Sequence, residues 1–65
     1  MKFIIGQSYT HPLFRDVYFK VFDIRVEASE YALLDILWMH STYGYHICTE
    51  MNKRVDRSLG WKEFK

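Results

Sequence analysis

This sequence has little of what usually cross-links or anchors a small chain. Its one cysteine, Cys48, cannot form an internal disulfide, which predicts a reducing compartment, by default the cytoplasm. No stretch approaches the roughly 20 apolar residues that span a bilayer. The N-terminal apolar run, residues 3–5, is too short for a signal peptide. We therefore expect a soluble cytoplasmic protein with no membrane partner.

The glycine content and the net charge are also low. Gly6, Gly44 and Gly60 lie too far apart to form a phosphate-binding loop, so no nucleotide cofactor is expected. The net charge of +1 predicts neither a disordered chain nor a strong general attraction to nucleic acid. The composition is that of an ordinary globular protein.

Aromatic residues, in contrast, are abundant: two Trp, five Tyr and five Phe among 65 residues. This length predicts a single domain, residues 1–65, with one small core. A domain of about 60 residues buries only about 60% of the surface that its unfolded chain exposes. Some of these large side chains should therefore stay exposed unless a partner covers them.

Alternation of apolar and polar residues predicts strands. In residues 15–27, Phe22, Ile24 and Val26 share one face, whereas the earlier part of the run alternates in the opposite phase. A bulge near Lys20 is the favoured explanation, and the alternative is that both faces are covered there. Two further strands are predicted at residues 2–5 and 43–49, and a loop at residues 7–12 because of its proline.

Two segments are predicted to be helices. Ser29 is a natural N-cap, and residues 30–40 are rich in Ala, Leu and Met, which favours helix over strand. Met51, Val55 and Leu59 then fall at a spacing of four, which predicts a short C-terminal helix. The predicted fold is α+β: a small three-stranded, mostly antiparallel sheet, in ββαβ order, packed on one main helix.

No catalytic signature occurs, so we predict a protein that is not an enzyme. The helix predicted over residues 30–40 is apolar on most sides, which is typical of a helix covered on most sides. We expect a small inhibitor or adaptor, of the kind that phages and mobile elements encode. It would occupy a surface of a larger protein through Tyr31, Trp38 and Met39. A two-fold homodimer is predicted from the same excess of apolar surface.

The C-terminal part of the chain suggests an alternative function. Lys53, Arg54 and Arg57 form a basic cluster that, together with Trp61, would hold phosphates and stack a base of a nucleic acid. Acidic residues flank the cluster, and the competing interpretation is a solvated helix face.

A second alternative is a minor metal or thiol site around His40, His46 and Cys48. Zinc binds both imidazole and thiolate, but structural zinc sites usually contain paired Cys and His units, and only one pair occurs here. The favoured interpretation is a buried, structural Cys48 with no metal.

Overall fold

The described part of the chain is nearly all sheet. The computed structural model describes residues 2–40 and 46–64, and the side chains of all of these except residues 14–16, 40 and 46. The five strands are β1 (Ser8–His11), β2 (Phe14–Glu27), β3 (Tyr31–His40), β4 (His46–Asp56) and β5 (Lys62–Phe64). One turn of 3-10 helix, Arg57–Leu59, lies between β4 and β5. Across the described ranges, no helix is long and apolar enough to cross a membrane.

The strands form one antiparallel sheet in the order β4-β3-β2-β1-β5. In a flat sheet β4 and β5 would lie about 19 Å apart, at about 4.8 Å for each strand step. They are joined by residues 57–61 alone, and residues 57–59 form the compact 3-10 turn. The sheet is therefore curled, so that its two edge strands approach each other.

The core fills the inner, concave face of this curl. Phe19 of β2 is at its centre, with its ring centroid 5.5 Å from that of Tyr9, 5.8 Å from that of Trp38 and 5.0 Å from that of Trp61. Phe3 covers Tyr9 with an edge-on contact at 5.0 Å. Aromatic rings thus supply most of the bulk of a small core.

The helix predicted over residues 30–40, with Ser29 as its N-cap, is wrong, and with it the α+β fold class. Residues 31–40 form β3, which lies between β2 and β4. Its even-numbered residues Ala32, Leu34 and Ile36 are fully buried on the inner face, while Leu33 and Leu37 on the opposite face are also partly buried. A strand covered on both faces gives a nearly continuous apolar run, which composition alone does not distinguish from a helix.

The ends of the chain also differ from the predictions. Residues 2–5 form no strand, and the predicted loop contains β1, which ends immediately before Pro12. The predicted C-terminal helix is wrong, because β4 continues to Asp56 and only Arg57–Leu59 is helical. Residues 46–49 of the strand predicted over 43–49 begin β4, and residues 43–45 lie outside the described residues.

The predicted bulge in β2 is confirmed. The pairing of β2 with β3 shifts between Val21 and Asp23 and again between Ile24 and Val26, so that β2 contains two extra residues, Phe22 and Arg25. Val21 before Phe22 is buried, and Ile24 after it packs against the core, which accounts for the change of phase. Phe22 and Val26 do not join Ile24 in the core and are 47% and 42% exposed.

A second kind of bulge lies in β4. Leu34 pairs with Lys53 and Ile36 with Glu50, so two residues of β4, Met51 and Asn52, stand opposite Asp35 of β3. Asn52 has a φ of 57°, in the left-handed region. This bulge bends β4 and divides it into two segments, residues 46–50 and 53–56.

Candidate functional site

A cleft of about 380 Å³ lies between β4 and the connection that leads to β5. It is lined by Val17 of β2, Trp38 of β3, residues 53–56 of β4, and Leu59 and Trp61. The inner-face side chains of three strands thus form its base, and the connection forms its opposite wall. Because the lining is largely apolar and includes two indole rings, the cleft suits an apolar group.

Gly60 turns the chain so that Trp61 lies in the wall of the cleft. Its φ of 87° lies in the left-handed region, which glycine adopts readily, and it ends the 3-10 turn. The chain then crosses the inner face, where the Trp61 ring lies 5.2 Å from His11 and 6.2 Å from Trp38. The connection is also fixed by a hydrogen bond between His11 Nε2 and the carbonyl of Leu59. The second nitrogen of His11 accepts a hydrogen bond from the main chain, so the wall of the cleft is held to β1.

The indole N–H of Trp61 is buried and has no acceptor among the described residues. Buried donors are nearly always hydrogen-bonded, and an unsatisfied donor costs about 1–3 kcal/mol. Because this nitrogen has almost no exposed surface, it does not face the cleft. The cleft is a candidate site because of its apolar lining alone.

The predicted basic cluster is divided by the fold. Lys53, Arg54 and Trp61 line the cleft, but Arg57 does not. Arg57 instead lines a second cleft of about 670 Å³ with Arg54, together with Ser29, Glu30, Asp56 and Ser58. Arg57 Nε donates to the carbonyl oxygen of Ala28 at 2.9 Å. The four residues therefore do not form one phosphate-binding surface on a helix, as the sequence suggested.

Carboxylates accompany both basic residues at the cleft. Lys53 Nζ lies 3.7 Å from Glu50, and Arg54 Nε lies 3.0 Å from Asp56. The guanidinium of Arg54 also lies over the ring of Tyr31, 4.3 Å from its centroid. These exposed pairs add little stability, but they offset the positive charge at the rim of the cleft. The rim is therefore poorly suited to binding a polyanion.

The predicted interface residues Tyr31, Trp38 and Met39 are on different faces. Successive residues of a strand point to opposite sides of the sheet. Trp38 lies on the inner face and stacks on Phe19, whereas Tyr31 and Met39 lie on the other side. The fold thus places Trp38 in the cleft and separates it from the other two.

The predicted burial of Cys48 is wrong. Cys48 is exposed because β4 is an edge strand, even though it pairs with Trp38. His40 and His46 are register partners, but their side chains are outside the described set. Among the described side chains, no group of three His, Cys, Asp or Glu is arranged to hold a metal ion.

The convex side of the sheet carries a second candidate surface. Register partners in neighbouring strands point to the same side, and two adjacent rows of partners cross all five strands. We call these ten side chains the outer face: Phe64, Ser8, Lys20, Leu37 and Thr49 in one row, and Lys62, Thr10, Tyr18, Met39 and Ile47 in the other.

Two aromatic rings of the outer face form a stacked pair. The rings of Tyr18 and Phe64 are 4.9 Å apart and nearly parallel, with an interplanar angle of 10°. Phe64 is 46% exposed, and Lys20 and Lys62 beside the pair are both exposed. Sequence reasoning missed this site. Alternation in β2 places Tyr18 and Lys20 on one face, but nothing in the sequence indicates that Phe64 joins them.

Comparisons with family models, with curated proteins and with solved structures give no match to this chain. Its function is therefore inferred from the geometry of the cleft and of the outer face.

Proposed function

We propose that this chain is a small, non-catalytic protein-binding module that binds an extended segment of a larger protein along β4. One apolar side chain of that segment would enter the cleft. The position of the cleft carries the proposal: its lining includes residues 53–56 of β4, and β4 is an edge strand of the described sheet. An edge strand offers main-chain N–H and C=O groups to an added strand.

The chemistry of the cleft supports an anchor of this kind. Trp38 and Trp61 provide large, rigid apolar surfaces, and tryptophan is enriched among residues that dominate binding energy. Main-chain pairing to an edge strand supplies affinity, while a side-chain pocket supplies selectivity. If the partner uses the bound segment for another contact, binding would block that contact, and the chain would act as an inhibitor or adaptor.

Self-association belongs to the same proposal. The apolar helix that first suggested a dimer is absent, since residues 31–40 are a strand. Pairing of β4 with β4 of a second copy is the alternative route, because Ile47 and Met51 on this edge strand are 55% and 60% exposed. Sedimentation equilibrium at micromolar concentration checks it. A 7.9 kDa species alone would show that the chain does not self-associate.

Peptides selected from a random display library on the immobilised protein test the cleft. The selected peptides are titrated by calorimetry into the wild type, Leu59→Asp and Leu13→Asp. Leu59 lines the cleft and is 55% exposed, whereas Leu13 lies elsewhere and is 80% exposed. Both substitutions place a carboxylate at an exposed leucine, so they are matched. We expect at least a tenfold loss of affinity in Leu59→Asp and no loss in Leu13→Asp.

The same peptides test strand addition. N-methylation of alternate residues removes the N–H groups on one side of the peptide, so one of the two alternating sets should abolish binding and the other should not. Equal binding of both methylated forms would refute the proposal. It would also be refuted if all selected peptides bind Leu59→Asp as tightly as the wild type.

A further inference from the structure

We infer that the outer face is a separate binding site for single-stranded nucleic acid. Tyr18 and Phe64 would stack bases, and Lys20 and Lys62 would contact phosphates. This site is independent of the cleft, because the outer face and the inner face are opposite sides of the same sheet. It also differs from the basic cluster predicted from the sequence, which shares none of these four residues.

The geometry of the aromatic pair supports base stacking. Tyr18 and Phe64 come from β2 and β5, which are separated by β1, and their rings are stacked 4.9 Å apart. The residues of β1 between them are Ser8 and Thr10, whose side chains are small. β1 therefore leaves room for the two rings to meet above it, where Phe64 is 46% exposed and Tyr18 is partly buried. Aromatic residues on an open sheet are a common platform for the bases of single strands.

The charge of the outer face supports the same ligand. Lys20 lies in the row of Phe64, and Lys62 lies in the row of Tyr18. None of the ten side chains of the outer face is acidic. Among the described side chains, Lys53 and Arg54 at the cleft form ion pairs with carboxylates, whereas neither Lys20 nor Lys62 does. The next row on this side of the sheet contains Asp23 and Asp35, and Asp35 is paired with Arg25. A surface with positive charge around a pair of aromatic rings complements a phosphate backbone with unstacked bases.

The same charges disfavour a second copy of this chain as the occupant. A two-fold contact between two outer faces would bring together four lysines and no carboxylate from these positions. Like charges facing each other across an interface are destabilising. A polyanion is favoured over a second copy for this reason.

Fluorescence anisotropy with a labelled oligothymidylate of about twelve nucleotides tests the inference. We expect binding that weakens with salt. Tyr18→Leu and Phe64→Leu keep apolar bulk but remove a ring, and each should weaken binding about tenfold. The double variant Lys20→Gln with Lys62→Gln should reduce the slope of log affinity against log salt by about 1.4, at about 0.7 for each phosphate contact to a single strand.

Matched controls separate this site from general attraction. Lys53→Gln removes the same charge as Lys20→Gln but lies on the inner face, and it should leave affinity and salt slope unchanged. Circular dichroism establishes that each variant is folded before binding is measured. Leu59→Asp should also bind normally, which keeps this test distinct from that of the cleft.

Several results would overturn the inference. These are no binding at low salt, an equal effect of Lys53→Gln and Lys20→Gln, and unchanged affinity in both folded ring variants. Equally tight binding of an acidic peptide such as polyglutamate would show an unspecific cationic surface. Self-association that Phe64→Leu abolishes would identify a second copy as the occupant instead.

Discussion

The Oδ1 atom of Asp35 accepts a hydrogen bond from the main-chain N–H of Asn52 on the neighbouring strand, at 2.8 Å. It also accepts one from Arg25 Nε at 2.7 Å, while the Asp35 side chain is only 6% exposed. The bulge leaves the Asn52 N–H without a place in the regular β3–β4 pairing, so one carboxylate satisfies it and joins three strands. Arg25, followed by the N–H of Asn52, lowers the pKa of the Asp35 carboxyl below its ordinary value.

The first prediction concerns pH. Because the folded state lowers the pKa of Asp35, ionisation of this group stabilises the protein above about pH 3.9, the ordinary pKa. This stabilisation is lost as the pH falls through the lowered pKa. Asp35→Asn should therefore have a lower urea midpoint than the wild type at pH 7, and the difference should shrink as the pH falls below the ordinary pKa of about 3.9. A difference that is constant with pH would contradict the role of the charge. Asp23→Asn, at an exposed site, is the control.

The second prediction concerns the backbone of Asn52. Its positive φ is costly for most residues, especially β-branched ones, but not for glycine. Asn52→Val should lower the free energy of unfolding by about 1–2 kcal/mol, whereas Asn52→Gly should leave it unchanged or raise it. Urea unfolding measures both. Thr49→Val, at an exposed position of β4 before the bulge, should be nearly neutral, and equal losses at the two sites would exclude backbone strain as the cause.

The third prediction concerns the centre of the core. Phe19 is fully buried and contacts the rings of Tyr9, Trp38 and Trp61. Phe19→Ala should cost about 3–5 kcal/mol of unfolding free energy, a large part of the total for a small domain. Phe22→Ala, at the exposed bulge of the same strand, should cost much less. Similar chemical-denaturation midpoints for the two variants would show that the core lies elsewhere.

The fourth prediction concerns Cys48. Since this thiol is exposed at the edge of the sheet, Ellman's reagent should react with it in the native protein at nearly the rate seen in denaturant. Cys48→Ser should change the unfolding free energy by no more than about 0.5 kcal/mol, as is usual for exposed positions. A thiol that reacts only after denaturant is added would restore the interpretation of Cys48 as a buried residue.

The comparison of sequence and structure shows what local patterns predict. Alternation identified β2, and its change of phase identified the bulge that the extra residue Phe22 produces. The same reasoning failed for β3, because Leu and Ala favour helices only weakly and burial on both faces overrides that preference. Helix propensity is a statement about isolated segments. The pairing of β3 with two neighbours is a property of the whole sheet.

The candidate site was even less predictable from the sequence. Trp38 and Trp61 were each selected as binding residues, but for different surfaces and different ligands. They meet only because the sheet curls and Gly60 turns the chain across the inner face. β5 has three residues, too few for a detectable alternation, so its pairing with β1 and the stack of Phe64 on Tyr18 could not be anticipated.

The pairing of β5 with β1 also sets the order of events during synthesis. Ser8 pairs with both Lys20 and Phe64. During synthesis β1 can therefore pair with β2 first, and it can pair with β5 only after Phe64 has left the ribosome. Contacts between residues so distant in the chain slow folding. Until they form, the core lacks Trp61, and β1 has an open edge that favours aggregation. Truncated chains that end before Trp61 are therefore expected to aggregate rather than to fold.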